Sequence, residues 1–220
     1  MKKSVYFEEG YLNFFKELAA NNHKDWFDAN RKTYLSDVKQ PFENFVEALL
    51  EALKKKYKLG DLKASDCIFR INRDIRFSKD KTPYKIQMSA LIAKGGRKNM
   101  EAPGLYIELG PEFFNIYTGV YMPEKPTLQA IREKLAANPD KFNKIITSKA
   151  FKDYFGEVKG EKAKILPAEL KEAAKKQSLI YNKQFYLVHT QDAEKILQSD
   201  LLDHVLKVYA AADQYNEFIY

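Results

Sequence analysis

The spacing of apolar residues changes twice along this chain, and these changes constrain the fold more than any other feature of the sequence. Near the N-terminus, large apolar residues recur every three or four positions, as on one face of a helix, at Tyr11, Phe14, Phe15 and Leu18. From Cys67 to Met122 the chain instead carries short runs of β-branched and aromatic residues, which are typical of strands. Helical spacing returns after Pro123. Helices, then a block of strands, then helices predict an α+β fold.

The strand-like block predicts an antiparallel β-sheet of about four or five strands, packed with N-terminal and C-terminal helices. The strands are expected at residues 67–71, 85–93, 105–109 and 113–122, with a late strand at 184–190. Turn signals separate the runs at KGGR (residues 94–97) and APG (residues 102–104). The connections between the runs are too short for helical crossovers, so we expect hairpins between antiparallel neighbours.

The same periodicity divides the chain into a helical region (residues 1–60), a mainly β region (66–122) and a mainly helical region (123–220). A second helix is expected over residues 25–38, and Pro41 fits the first turn of a third helix, which ends near Gly60. Neither a repeat nor a low-complexity linker interrupts the sequence. We therefore expect a single domain over residues 1–220.

Several protein classes are disfavoured by what the sequence lacks. The single cysteine, Cys67, excludes an internal disulfide framework, and His23, His189 and His204 lack the spacing of metal ligands. We therefore expect no metal and no cofactor. The short motifs of nucleotide, metalloprotease and acyl-transfer sites are absent. Without a signal peptide or an apolar run of about 20 residues, we expect a soluble, cytoplasmic protein with no membrane partner.

The positive charge of the chain is concentrated in one region. The formal net charge is +7, but residues 54–98 hold fourteen Lys and Arg against four Asp and Glu, a net +10, which leaves −3 for the remainder. An even spread of charge would indicate only solubility. A local excess of this size indicates an anionic partner.

Within that region, residues 70–85 (RINRDIRFSKDKTPYK), called the basic segment below, carry six cations and two carboxylates. In a continuous strand Arg73 would face away from Arg70 and Arg76, because side chains alternate. Pro83 favours an irregular path. We therefore expect a strand ending near Ile71, a loop to Tyr84 and a new strand from Lys85, with the three guanidinium groups converging on one anion.

This prediction assigns specific roles to the side chains of the basic segment. Guanidinium groups grip carboxylate or phosphate with paired hydrogen bonds, and lysines and hydroxyls add charge and donors. The expected ligand-binding residues are Arg70, Arg73, Arg76, Ser78, Lys79, Lys81, Tyr84 and Lys85. Asp74 and Asp80 would orient the cations, or one of them would act as a catalytic base. The alternative is a purely structural network of ion pairs.

The basic segment also carries a family resemblance. Together with NNHKDWFDANRKTY at residues 21–34 and with YIEL, GVYMPE and LQAIRE further on, it resembles an uncharacterised family of bacterial and fungal conserved hypothetical proteins with an NNxxxWF helix and an RDxRFSKDKTPYK core. The match covers about residues 7–135, and Tyr121 stands where the family pattern has tryptophan. The resemblance implies a soluble α+β domain of unknown function and adds Asn22 and Trp26 as supporting residues. Asn22 is expected to cap or turn the chain, and Trp26 to pack in the core.

Three functions remain open at this point. The first is binding of a phosphate- or carboxylate-bearing small molecule at the basic segment, with transfer or hydrolytic activity if a base assists. The second is nucleic-acid binding along the basic band of residues 54–98, with bases stacking on Phe113, Phe114, Tyr117 or Tyr121. The third is an interaction module for an acidic protein. The sequence does not decide whether the protein is an enzyme.

Overall fold

The sheet has four antiparallel strands in the order β1-β2-β3-β4 in the computed structural model, which describes residues 4–101 and 103–220. The strands are β1 Met88–Ala93, β2 Gly104–Leu109, β3 Phe114–Val120 and β4 Phe185–Gln191. A connection that contains the 3₁₀ helix Gly96–Lys98 joins β1 to β2, a short turn joins β2 to β3, and several helices separate β3 from β4. The predicted α+β class and the antiparallel sheet between helical regions are therefore confirmed. Residues 1–3 of the predicted helical region and Ala102 of the predicted turn lie outside the described residues.

The strand predicted at residues 67–71 is wrong. Cys67 ends a short helix, Ala64–Cys67, whose first turn is closed by a hydrogen bond from the Lys63 backbone to Asp66 (3.0 Å). Only Ile68 pairs with β1, in one isolated bridge to Ala90. β1 itself starts at Met88 rather than at residue 85. The composition of this run is typical of a strand, but residues 68–71 form a single bridge to β1, because regular pairing depends on tertiary contacts that a local pattern does not contain.

The N-terminal helices follow the apolar spacing closely. They are α1 Glu9–Ala20, α2 Lys24–Ala29, α3 Arg31–Thr33, a π-helical turn Tyr34–Lys39, α4 Gln40–Tyr57 and α5 Ala64–Cys67. The helix predicted over residues 25–38 is interrupted at Asn30, and the chain then runs helically into α4. Pro41 cannot donate to a carbonyl one turn back, and the wider π turn directly before α4 accommodates that loss.

The C-terminal helices return after the third strand. They are α6 Lys125–Ala137, α7 Pro139–Ile146, α8 Lys149–Tyr154, α9 Lys171–Lys176, α10 Leu201–Ala211 and α11 Asp213–Ile219. Short 3₁₀ helices lie at Gly96–Lys98, Ala168–Leu170, Ser178–Tyr181 and Ala193–Leu197. No helix in the described ranges is both long enough and apolar enough to cross a membrane.

One face of the sheet packs on the helices and the other stays half exposed. Along β3, the buried residues Phe114, Ile116 and Val120 alternate with the half-buried Asn115 and Tyr117, as a sheet covered on one side requires. Helix α4 contacts β1, and α10 and α11 contact β3. The Tyr11 hydroxyl of α1 donates to the Leu109 carbonyl of β2 (3.0 Å). The helices therefore lie on the core face, and the opposite face is the half-exposed one.

Among the described residues, the outer edges of β1 and β4 carry only isolated bridges. Ile68 pairs with Ala90 beside β1, and Lys159 pairs with Tyr186 beside β4. The Phe69 amide donates to the Ser89 carbonyl (2.9 Å), which holds the residue before the basic segment against the edge of the sheet. Sequence-distant segments therefore border the half-exposed face on both sides.

Candidate functional site

The base of the basic segment is held as a short hairpin-like ladder. Asn72 bridges Tyr84, the Arg73 amide donates to the Pro83 carbonyl (2.9 Å), and the Lys85 amide donates to the Ile71 carbonyl (2.8 Å). The predicted boundaries are therefore shifted: no regular strand ends at Ile71 or begins at Lys85, and the pairing continues through Arg73 and Pro83. Residues 74–82 form the tip between the two paired stretches.

The side chain of Asn22 fixes this base to the N-terminal helices. Its amide nitrogen donates to the Tyr84 carbonyl (3.0 Å), and its carbonyl oxygen accepts from the Tyr84 amide (3.1 Å). A single side chain thus offers one donor and one acceptor, as a neighbouring strand would. Asn22 therefore positions the basic segment instead of capping a helix.

Tyr84 and Trp26 belong to the aromatic core beneath the segment. The Tyr84 ring stacks on Phe27 at 4.1 Å between centroids and is buried. Trp26 is half buried and lies 5.5 Å from the ring of Phe14. The predicted ligand residue Tyr84 therefore anchors the segment by packing, and Trp26 has the packing role expected for it.

The structure does not bring the arginines together on a common anion. Arg73, whose side chain is 26% exposed, binds the Asp80 carboxylate together with the hydroxyl and carbonyl oxygens of Thr82. Arg76, 76% exposed, instead makes two hydrogen bonds to Asp74 (2.7 and 2.9 Å). These two guanidinium groups therefore each have their own local carboxylate, as the structural-network alternative describes.

These ion pairs set the acidity of the two carboxylates proposed as bases. Hydrogen bonds from the Thr82 amide, the Arg73 guanidinium and the Thr82 hydroxyl lower the pKa of Asp80 to about 2. Hydrogen bonds from the Arg76 side chain and backbone lower the pKa of Asp74. A general base works best when its pKa lies near the working pH, so both carboxylates are poorly suited to proton abstraction.

The remaining predicted ligand residues are spread around the segment. Lys81 donates to the Ile75 carbonyl (2.9 Å), and Ser78 makes a backbone contact to the same carbonyl (3.4 Å). Arg70 and Lys79 are exposed and form no side-chain hydrogen bond or ion pair with the described residues. Lys85 is the one residue of the eight that lines a cavity on the sheet.

That cavity, of about 450 Å³, lies on the half-exposed face of the sheet. Its volume falls in the range of small-molecule sites. Five aromatic rings in contact with one another form a continuous wall of the cavity. The distances between neighbouring ring centroids are 5.9 Å (Phe69 to Tyr106), 5.6 Å (Tyr106 to Tyr117), 6.4 Å (Tyr117 to Tyr186) and 5.3 Å (Tyr186 to Tyr121). The rings come from Phe69, directly before the basic segment, from three neighbouring strands and from the turn after β3. We call this cavity the sheet pocket.

The strand register explains why these side chains meet. Tyr106 pairs with Tyr117 across β2 and β3, and Gly119 pairs with Tyr186 across β3 and β4. Gly119 has a positive φ of 95°, and a Cβ at this position would lie 2.4 Å from the Phe185 carbonyl oxygen. Only glycine fits there, so the floor of the pocket next to Tyr186 carries no side chain.

A carboxylate lies among the tyrosines. Glu108 accepts hydrogen bonds from the Tyr106 hydroxyl (2.8 Å) and the Tyr117 hydroxyl (3.4 Å). Burial and then the Glu108 charge raise the pKa of Tyr117 to about 12, and burial also raises the pKa of Tyr106. Both phenols therefore stay protonated donors at neutral pH. Glu108 is half buried and has no ion pair with any cation of residues 4–101 or 103–220.

Lys85 brings the charge of the basic segment to the same pocket. It is half buried, and its ammonium nitrogen lies 5.5 Å from the centroid of the Phe69 ring. Burial, followed by the positive charge of Arg70, lowers the pKa of Lys85 below its usual value, and the negative charge of Glu108 opposes this shift without forming an ion pair. In the described part of the chain no carboxylate forms an ion pair with this ammonium.

Sequence reasoning identified part of this pocket. Lys85 was a predicted ligand residue, and Tyr117 and Tyr121 were candidates for stacking. Phe114, also a stacking candidate, is fully buried in the core. Tyr106, Glu108 and Tyr186 were missed. The alternation in LYIEL places Tyr106 and Glu108 on one face, but the pairing of β4 with β3 depends on residues about seventy positions apart.

The fold and the site together define an α+β protein whose four-stranded antiparallel sheet carries a tyrosine-lined pocket on its half-exposed face. The chain belongs to the conserved hypothetical protein family DUF2461, whose model matches residues 10–218. This confirms the family resemblance. No curated protein matches the chain significantly.

Proposed function

We propose that the protein binds a small molecule that carries a phosphate or carboxylate group, and that the sheet pocket is its site. The observation that carries this proposal is Lys85, a half-buried ammonium without a carboxylate partner among the described residues, on the wall of an aromatic cavity of about 450 Å³. A buried charge is costly unless it is paired. An anionic group of a ligand would supply the pairing that the protein lacks.

The surroundings of Lys85 support the same assignment. Arg70 does not line the pocket, but its charge is close enough to lower the pKa of Lys85, so it adds to the positive potential around this ammonium. The aromatic wall suits a ring or an apolar chain of the ligand. The net charge of +4 on the basic segment attracts anions from a distance of about one Debye length, roughly 8 Å at physiological salt.

The proposal concerns binding and includes no catalytic step. Asp74 and Asp80 were the candidates for a base in transfer or hydrolysis, but their arginine partners hold them ionised. Neither carboxylate lines the sheet pocket. Their contribution is to shape the tip of the basic segment.

Calorimetric titration with phosphorylated and carboxylated aromatic metabolites tests the proposal. Lys85→Gln should weaken binding of any hit at least about tenfold, because a charge-assisted hydrogen bond contributes about 1.5–3 kcal/mol. The matched control is Lys79→Gln, an exposed lysine of the same segment outside the pocket. It should change affinity less than about twofold, as expected for long-range charge alone. Equal losses in the two variants would contradict the assignment.

Single-stranded nucleic acid is the second candidate ligand. It is favoured by the rings of Tyr106, Tyr117 and Tyr186 on three adjacent strands beside the basic band of residues 54–98, because exposed aromatics on a sheet stack bases. The unpaired Glu108 among these rings opposes a phosphate backbone. The small-molecule proposal is therefore preferred.

A further inference from the structure

Two unpaired charges of opposite sign face the sheet pocket. Glu108 and Lys85 both line it, both are half buried, and neither forms an ion pair within the described residues. In particular, they do not pair with each other, since no contact of 4.0 Å or less joins them. The proposed anion accounts for Lys85 alone and leaves the carboxylate unexplained.

The environment of Glu108 is suited to a cation. The Tyr106 and Tyr117 hydroxyls donate hydrogen bonds to it but carry no charge, and Lys85 acts on it only from beyond ion-pair distance. A half-buried carboxylate gains most from an opposite charge close by. The faces of tyrosine rings also attract ammonium groups, and several rings around one carboxylate are typical of ammonium recognition.

The ring geometry agrees with a cage rather than with a stacking slot. The interplanar angles are 59° between Tyr106 and Tyr117, 44° between Tyr117 and Tyr186, and 74° between Tyr186 and Tyr121. A flat base sandwiched between rings requires nearly parallel planes. Tilted planes around a common volume suit a compact, rounded group.

We propose that the ligand is zwitterionic, with an ammonium group held at Glu108 among the tyrosine rings and a phosphate or carboxylate group held at Lys85. This inference rests on the proposed function and names its substrate class. The class consists of small amine-bearing phosphate esters and amino acids, in which a few bonds separate the two charges. Binding involves no covalent step.

Titration calorimetry with four probes tests the zwitterion: phosphocholine, phosphoethanolamine, choline and inorganic phosphate, at one ionic strength. The tighter of the first two probes should bind at least about tenfold more strongly than either choline or phosphate, because it engages both charges. Equal affinity for phosphate and for both amine-bearing esters overturns the inference.

Two variants place the ammonium group. Glu108→Gln keeps the size and the hydrogen-bond acceptor of the side chain and removes its charge. The affinity for the amine-bearing ester should therefore fall to the affinity for phosphate. Tyr121→Leu, at an exposed ring, should weaken the amine-bearing ester and leave phosphate unchanged. The matched control Glu112→Gln, at an exposed turn outside the pocket, should alter neither. An undiminished preference in Glu108→Gln refutes the ammonium site.

The failure of this inference is distinguishable from failure of the proposed function. If phosphate binding depends on Lys85 but the amine brings no advantage, the pocket binds anions and only the zwitterion is refuted. If Lys85→Gln leaves the affinity of every phosphate-bearing probe unchanged, the proposed function itself fails.

Vesicle sedimentation distinguishes the two sources of this headgroup, a free ester and a lipid. A free ligand predicts that the protein stays in the supernatant with phosphatidylcholine vesicles. If the wild-type protein sediments with the vesicles and Glu108→Gln does not, the same ammonium site binds the headgroup of a lipid. If Glu108→Gln sediments with the vesicles as the wild type does, the result counts against the ammonium site.

Discussion

At the scale of single residues, the most informative side chain outside the pocket is Asn22. Its two hydrogen bonds to the Tyr84 backbone join helices near the N-terminus to a segment sixty-two positions away. Buried backbone groups need partners, and Tyr84 finds both of its partners in one amide. The wall of the sheet pocket at Lys85 is therefore fixed one residue after a bidentate anchor.

We expect Asn22→Ala to destabilise the protein by about 1–3 kcal/mol, because it leaves a part-buried donor and acceptor without partners. Chemical denaturation would measure the change in the free energy of unfolding. Asn21→Ala is the matched control, since the Asn21 side chain bonds only the exposed Glu17 carbonyl (3.0 Å) and should cost less than about 1 kcal/mol. Losses of equal size would show that Asn22 is not a specific anchor.

A histidine pair gives a second prediction at this scale. The rings of His189 and His204 lie 5.4 Å apart, and both Nε2 atoms are buried without a hydrogen-bond partner among the described residues. Burial first, and then the nearby Lys195, lower the pKa of His204 to about 4, while Asp200 opposes them. His204 is thus neutral in the folded protein at neutral pH.

The sign of the pH dependence follows from this lowered pKa. Unfolded His204 takes up a proton near pH 6.5 and folded His204 only near pH 4, so the unfolded state binds more protons between these values. Protonation of His204 in the unfolded state should lower the free energy of unfolding by about 1 kcal/mol as the pH falls from about 7 to about 5, after allowance for solvent screening. Urea denaturation at both pH values would show a smaller fall in His204→Phe than in the wild type. The same fall in both proteins would exclude His204 as the cause.

At the scale of secondary-structure elements, the tip of the basic segment depends on Arg73 more than on Arg76. Arg73 ties Asp80 and Thr82 across the tip, whereas Arg76 pairs with Asp74, only two residues away. The ring of Phe77 between these pairs is 94% exposed. Surface ion pairs contribute little to global stability, so their effect should be local.

Limited trypsin digestion tests this difference. Arg73→Ala should increase the rate of cleavage after Lys79 and Lys81 several-fold, because loss of the contact across the tip makes local opening easier. The midpoint of global unfolding should hardly change. Arg76→Ala is the comparison variant and should leave cleavage close to that of the wild type. Faster cleavage in Arg76→Ala than in Arg73→Ala would reverse the assigned roles.

Elements with a strong local pattern were predictable, and elements defined by distant contacts were not. The repeat of Tyr11, Phe14, Phe15 and Leu18 predicted α1, and alternation predicted β2, β3 and β4 within a few residues. The fold class followed from their order. The strand predicted from Cys67 is wrong because Cys67 ends α5 and residues 68–71 make a single bridge to β1, an outcome that depends on tertiary contacts.

The site shows the same division. Local charge located the basic segment, but charge counting does not reveal that Asp74 and Asp80 each take one arginine. The sheet pocket is assembled from the register of four strands and from a segment at the edge of the sheet. These are tertiary contacts, which a local pattern does not contain.

At the scale of the whole molecule, positive charge and the sheet pocket lie on the same part of the chain. The band of residues 54–98 carries a net +10 and contributes Phe69, Lys85, Ser89 and Leu91 to the pocket. Such an asymmetry raises the association rate of anionic ligands and makes that rate dependent on salt.

Salt dependence separates the two candidate ligand classes. A small anion held at one pocket should lose affinity with a slope of magnitude about 1 or less in a plot of log affinity against log salt, because it neutralises few charges. A single-stranded oligonucleotide tracking the basic band should give a slope of about 0.7 for each phosphate contacted. Titrations of a short oligonucleotide and of the best small ligand over a salt series make the comparison. A steep slope for the oligonucleotide with no small-molecule binding would favour the nucleic-acid candidate.

The bridges on the two outer strands affect the tendency of the protein to aggregate in concentrated solution. A bare strand edge is a template for another chain, and aromatic or β-branched strands such as these are prone to pair in this way. Ile68 occupies one edge at Ala90, and Lys159 occupies the other at Tyr186 with bonds in both directions (2.8 and 3.2 Å). These two bridges interrupt the row of free peptide groups on each edge, and so disfavour edge-to-edge pairing between the sheets of two molecules.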